Sequence, residues 1–333
     1  MLLIPPTLLG VTLIVFAITR LVPGGPLERA LMEAQQVNAQ SGMSASQDAG
    51  QGMALSAEQL NQLKAYYGLD KPMLQSYVQW LWKVVRGDLG TSYRYNEPVW
   101  DVIRERFPVS LFYGLTTLII TYAVCIPLGV LKAIRHRTLV DNVTSILIFI
   151  GYAIPGYALG SLLLLYFSVR LDWFPMGGFV SMQYVEKDSI GKLADLVSHS
   201  VLPLTCYLVG SFALVTLLLK NHLMDNLAAD YIRTAVAKGV SFRQSVTRHA
   251  LRNSLIPIAT TFGQNIVLLV SGSFLIESIF DIDGFGLLGL TSIMDRDYPV
   301  VMGVFLLASL LLLIGNIISD ALVALVDPRI RFH

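Results

Sequence analysis

Six long apolar runs punctuate the chain, at about 2–22, 108–131, 140–168, 197–219, 254–276 and 299–326. Each is near or above the roughly 20 residues that carry a helix across a hydrocarbon core, so the pattern predicts six transmembrane helices. The first run begins at residue 2 and reaches spanning length, which predicts a retained helix rather than a cleaved signal peptide. No basic residue precedes it, a pattern expected of a chain whose native start lies further upstream.

The polar positions between the runs sort by charge. Lys132, Arg135 and Arg137 follow the second run, Lys220, Arg233, Lys238, Arg243, Arg248 and Arg252 separate the fourth from the fifth, and Arg329 and Arg331 end the chain. Glu277, Asp281, Asp283, Asp295 and Asp297 fall on the opposite side, relieved only by Arg296. The positive-inside rule then predicts both termini and the long basic connection in the cytoplasm. Composition agrees with a bilayer protein: 54% apolar and 14% charged residues, with a mean hydropathy of +0.61.

Two pieces outside the runs carry structure of their own. Residues 23–106 divide into a Gln-, Ser-, Ala- and Gly-rich first half, read as a surface elaboration, and a second half with two amphipathic helices. The first of these, opened by Ser56 with Gln59 three residues on, is predicted to end near Gly68. The second places Tyr77, Trp80, Leu81, Val84 and Val85 on one face, suited to a membrane interface. The other piece is the stretch "DYIRTAVAKGVSFRQSVTRHALRNSLIPIAT", residues 230–260. Ile232, Ala235, Val236 and Gly239 follow the i, i+3, i+4, i+7 spacing of a helical face made of small residues, with arginines and lysines around it. Gly239 and Ser241 interrupt it, so helix, turn, helix is expected, with the small-residue side open to a groove on a cytoplasmic partner.

Catalytic chemistry is poorly represented. No GxxxxGK[ST] phosphate loop is present, and the histidines at 136, 199, 222, 249 and 333 have no helical metal-ligand spacing. The serines in the runs have no visible base, Cys125 and Cys206 sit in apolar surroundings, and no basic footprint for nucleic acid stands out. Neither metal nor cofactor is expected. Polar residues inside the runs are costly unless paired or facing a cavity, which makes Gln264, Asn265 and Asn316 candidates for a translocation path; interhelical hydrogen bonding is their rival role. Pro155 and Gly156 in the third run, and Gly284 and Gly286 in the acidic external loop, are candidate hinges or gates, with close packing and a plain turn as the alternatives.

The chain resembles the inner-membrane permeases of dipeptide and oligopeptide ABC importers, in their first-permease branch. "DYIRTAVAKG" is similar to the family's coupling motif, with Arg233, Thr234 and Ala235 at the triplet and Gly239 at its glycine; the common glutamate is absent and Val236 stands where arginine is frequent. "VPGGP", "GDLGTSYRYNEPV", "GYAIPGYALG", "ESIFDIDGFG", "RDYPVVMGV", "RHALRNSLIPI" and "VDPRIRF" follow in the order of the branch. The longer segment at about 35–54 resembles a subfamily linked to peptide-nucleotide antibiotics of the microcin kind.

This resemblance implies an all-α integral membrane protein of the type I importer permease fold, non-catalytic itself, in a bacterial inner membrane. The expected organisation is a first transmembrane helix at 1–22, a periplasmic segment at 23–106, a permease core at 107–326 containing a coupling region at 221–253, and a cytoplasmic tail at 327–333. Arg233, Thr234, Ala235, Gly239, Arg243 and Arg248 would meet the ATPase. The implied partners are a homologous second permease, two ATPase subunits or domains, a periplasmic or lipoprotein peptide-binding protein, the peptide substrate and membrane lipid. From the residues alone, a self-sufficient carrier or channel for small polar solutes remains the alternative.

Overall fold

The computed structural model describes residues 4–21, 70–270 and 272–326. The helix expected to end near Gly68, the surface elaboration, the microcin-like segment at 35–54 and the tail at 327–333 lie outside these residues. Among the described residues the elements are helices: α1 (Ile4–Leu21), α2 (Met73–Val85), α3 (Val99–Ile134), α4 (Leu139–Ala153), α5 (Gly156–Leu163), α6 (Ser189–Ala228), α7 (Asp230–Ala237), α8 (Phe242–Gln244), α9 (Leu251–Ser254), α10 (Ile256–Val270), α11 (Phe274–Ile279), α12 (Phe285–Met294) and α13 (Tyr298–Val326). The π-helical turns Leu164–Arg170 and Ser245–Ala250 continue α5 and join α8 to α9.

By length and composition α3, α6 and α13 can each cross a membrane, and α4 with α5 forms a bent apolar pair that is either a broken fourth span or a re-entrant loop. The sequence predicts one third span with a candidate hinge at Pro155 and Gly156, and that pair is bent by 91°. The cause is at residues 154–155: Pro155 cannot donate to the helix ladder and holds Ile154 extended, so α5 starts afresh. The fifth span is also shorter than expected. It ends at Val270 instead of 276, because Gly272 takes φ +71° and Ser273 is extended before α11 begins.

The chain divides into two compact units. One comprises Met1–Arg104 and Gly289–Ser309. In it Phe16 of α1, Tyr77 of α2 and Met302 form a small core, and the Tyr77 hydroxyl lies 2.9 Å from Thr12 Oγ1. Tyr77, Trp80 and Leu81 of the face predicted for α2 pack in this core with Phe16, and Val85 is exposed. Asp297 accepts from Ser92 Oγ at 2.5 Å and from the amides of Tyr93 and Arg94, and Arg94 pairs with Asp295. Two separately recognised motifs, "GTSYRYNEPV" and "RDYPV", are thereby stitched together.

The other unit comprises Glu105–Leu288 and Leu310–His333. Its axis is α6, 40 residues or roughly 60 Å long, started by Asp188, whose side chain accepts from the amide of Gly191. Small residues let neighbours approach it: Gly151 of α4 faces Val209, Gly160 of α5 faces Cys206, and Gly129 of α3 faces Leu219. Two cores follow, one around Tyr113, Cys206, Tyr207, Ile276 and Phe280, the other around Cys125, Val215, Leu219 and Ile258. The cysteines are free and buried in different cores.

Candidate functional site

The basic connection builds its geometry from the end of α6. Ala229, extended at φ −71° and ψ 148°, breaks the helix, and α7 starts at Asp230, whose carboxylate suits the positive end of a helix. Tyr231 donates to Asn226 Oδ1 at 2.7 Å, Asn226 Nδ2 donates to Ser254 Oγ at 3.0 Å, and Asn253 Nδ2 donates to the Tyr231 hydroxyl at 3.2 Å. Beneath this network Ile232 is buried with Leu223, Ala133 and Ala250. Arg252 Nε donates to the carbonyl of Val326 at 2.8 Å, placing a cation at the carbonyl end of α13. One short segment is therefore fastened to the ends of α3, α6 and α13, and it runs through α9 directly into α10.

The predicted helix, turn, helix is present, but the small-residue face is split. Ile232 turns inward to the protein's own core, while Val236 and Gly239 are exposed and Ala235 is half-buried. Arg233 is exposed, paired loosely with Asp230 at 3.5 Å, and Thr234 donates to the carbonyl of Asp230. Arg243 and Arg248 are exposed on α8 and the turn after it, beside an exposed Phe242. Gly239 has a backbone reason for being glycine. Its φ is +88°, and the amides of Gly239 and Val240 donate to the carbonyls of Val236 and Ala235, the paired closure of a left-handed helix cap. A Cβ there would meet nothing within 4 Å.

Next to this segment lies an ionic knot that the charge pattern disguised. Asp141 at the start of α4 accepts from Lys220 of α6 at 2.7 and 2.8 Å and lies 3.1 Å from Lys132 of α3. Lys132 is wholly buried, and its ammonium also donates to the carbonyl of Asp141 and the hydroxyls of Thr144 and Ser145. The two lysines read as orientation signals alone. An acidic residue at the start of an apolar run, just after a basic connection, was the signal for Asp141.

The path candidates separate. Asn265 donates to the Tyr122 hydroxyl at 2.8 Å, an interhelical hydrogen bond, whereas Gln264 and Asn316 are exposed. Both exposed amides sit one residue from a crossing of α10 and α13 so close that a Cβ on Gly263 would collide with the carbonyl of Gly315. Ser319 Oγ accepts from the Gly263 amide there at 2.6 Å. Gly263 and Gly315, one within each of two apolar runs, were the available hint of that crossing.

The hinge and gate candidates fall at two places. Pro155 opens α5 at the 91° bend, and a Cβ on Gly156 would stand 3.3 Å from the carbonyl oxygen of Cys206. Gly284 and Gly286 surround the carboxyl of Glu277: a Cβ on Gly284 would stand 2.7 Å from either oxygen, and the amides of Gly286 and Leu287 donate to the carboxyl, the latter at 2.6 Å. Among the described residues no group of three or more metal-ligating side chains occurs.

Against known proteins, residues 125–332 match the family described as binding-protein-dependent transport system inner membrane component. The chain is 36% identical to the peptidoglycan transport system permease protein YejB of Agrobacterium fabrum, over 98% of its length and 95% of the relative's. It is 34% identical to the oligopeptide transport system permease protein AppB of Bacillus subtilis, with 98% and 96% covered. Identity to the dipeptide transport system permease protein DppB of Escherichia coli is 33%, with 99% and 96% covered. Among solved structures, the MetNI methionine ABC transporter in inward-facing conformations superposes with a TM-score of 0.51 at 17% identity, over 68% of this chain and 96% of that one.

Proposed function

Because the chain belongs to the family of binding-protein-dependent transport system inner membrane components, we propose that it is the permease subunit of an ATP-driven peptide importer whose coupling device is the segment 229–254. Family membership displaces the reading as a self-sufficient carrier or channel. It also makes the subunit non-catalytic, with ATP hydrolysis in partner subunits.

The observation that carries the coupling role is mechanical. Exposed Arg233, Thr234, Val236, Arg243 and Arg248 offer a surface to an ATPase, while the buried side of the same segment is fastened to the ends of α3, α6 and α13. A displacement applied at α7 reaches those helices through packed side chains and hydrogen bonds, without a flexible joint between. Peptide delivered by a binding protein would pass between this subunit and a homologous second permease, with Gln264 and Asn316 at the α10–α13 crossing as path residues and the bend at Pro155 and Gly156 as a hinge.

Both termini and the 229–254 segment are placed in the cytoplasm on the charge asymmetry of the connections. Substrates are proposed as peptides because the relatives' names are those of peptide, oligopeptide and peptidoglycan systems. Uptake competition among dipeptides, oligopeptides and peptide-nucleotide antibiotics separates the members of that class. The assembly is tested by native mass spectrometry of the complex drawn from membranes by a tag on this chain. One copy of the chain with a homologous permease and two ATPase domains is the expected result. A lone chain or homo-oligomer, under conditions that preserve a known importer, overturns it.

A further inference from the structure

At the end of the unit opposite the coupling segment, Glu277 is 2% exposed and has no ion-pair partner among the described residues; the nearby Arg106 pairs with Asp283 at 2.7 Å. Its carboxyl is held entirely by neutral donors. Ser110 Oγ of α3 donates to one oxygen at 3.2 Å, and the amides of Leu287 and Gly286, in the first turn of α12, donate to the carboxyl. Ser110 Oγ in turn accepts from the Phe285 amide at 2.7 Å. The titratable and charged groups around it are Tyr113 on α3, Tyr207 on α6 and Asp283 in the loop before α12, with no cation among them except Arg106, already committed to Asp283. Tyr207 also accepts from the Ser273 amide at 3.0 Å, so α3, α6, α11 and α12 meet in one knot around a single acid.

We propose that Glu277 is a proton-operated latch: the knot closes around the neutral carboxyl and opens as the carboxylate. Both forms can be hydrogen-bonded, because a protonated Glu277 donates to Ser110 Oγ, which has a free lone pair once its own proton turns away. The bias comes from water. Burial pushes the acid up to about 7 from its ordinary 4.5 and the Asp283 charge adds to this, against the lowering by the Leu287 amide and Ser110. Opening the knot wets the carboxyl and returns it toward 4.5. A group raised in the closed state stabilises that state fully below the ordinary value, and the contribution is lost as pH rises through 7. Opening therefore releases a proton, and the opening equilibrium rises by up to about tenfold between pH 6 and pH 8.

The consequence for import, that acid in the outside medium holds this end shut, rests on the proposed outward placement of residues 272–288. The latch itself does not, so the test reads the knot directly. Hydrogen exchange of the peptide 280–290, which contains the Phe285 and Leu287 amides, is followed by mass spectrometry from pH 6 to pH 8 on the intact transporter in nanodiscs, with intrinsic base catalysis divided out. The corrected exchange should rise several-fold to tenfold in the unmodified protein and stay flat in Glu277→Gln, which cannot ionise. Equal pH slopes in the two overturn the latch. Should Glu277→Gln fail to assemble, Glu277→Ala decides: it removes the titrating group altogether, and a pH slope equal to that of the unmodified protein overturns the proposal. A pH-dependent knot in a transporter that shows no pH-dependent uptake would leave the latch standing and reject its outward placement.

Discussion

Asp141 and Glu277 are 3% and 2% exposed, yet the protein satisfies these two acids by opposite means. Asp141 sits between two ammonium groups at 2.7–3.1 Å and takes the Arg137 amide as well. Glu277 has hydroxyl and amide donors only. A carboxylate locked between two lysines ties α3, α4 and α6 together by charge, so the knot by the coupling segment is a fixed joint. A carboxyl held by neutral donors can lose its charge without stranding a buried cation, so its knot can change state. Stiffness is what a segment that transmits motion needs, and a two-state element is what a gate needs.

The largest effect that would break this contrast is at the fixed joint. Asp141→Asn keeps the shape but leaves Lys132 charged, wholly buried and without its counter-charge, an arrangement that typically costs about 3–5 kcal/mol. The expected outcome is loss of the assembled complex, or a large drop in its thermal midpoint. Adding Lys132→Met to the same chain should recover much of that loss, because the stranded cation is gone. A variant Asp141→Asn of unchanged stability would mean that the lysines are solvated and the joint is not ionic.

A smaller effect tests how tightly the other acid is held. In Gly284→Ala the new methyl would stand 2.5 Å from the carboxyl carbon of Glu277, so the acid must shift, at a cost of about 1–3 kcal/mol. In a Glu277→Ala background the space is empty and that cost should largely vanish. A double-mutant cycle measured by thermal unfolding gives the difference; additive effects would show that Gly284 is needed for some other contact.

How much of this could be read from residues alone follows from which forces are local. A hydrocarbon core imposes a 20-residue apolar run on any helix that crosses it, so the spans stand out in the chain, and the cap and turn around Gly239 and Ser241 are local too. Ionic pairing is not. Lys132 and Lys220 are 88 positions apart, and nothing in their neighbourhoods distinguishes a buried ammonium from one that orients the chain in the membrane. Pro155 announced a break in α4–α5, but not that glycines on the two halves would lie against Val209 and Cys206 of α6, more than 40 positions away. Ile232 fitted the helical spacing of an exposed small-residue face and turned inward because Leu223 and Ala133, from two other helices, close over it.

The smallest effect separates backbone strain from partner contact at the coupling turn. Gly284 is glycine for lack of space, whereas Gly239 has open space around it and a φ of +88° that L residues adopt at a cost of about 1 kcal/mol or slightly more. Gly239→Ala should therefore lower stability by about that amount and leave ATPase association close to normal. Gly239→Trp carries the same backbone strain, and its ring meets nothing in this chain near the Cβ. Any further loss of association in the tryptophan variant, read by co-purification of the ATPase and by peptide uptake, measures only what the partner places against that turn. Equal behaviour of the two variants would mean that the ATPase does not seat over Gly239, and would move the contact toward the exposed Arg243 and Arg248.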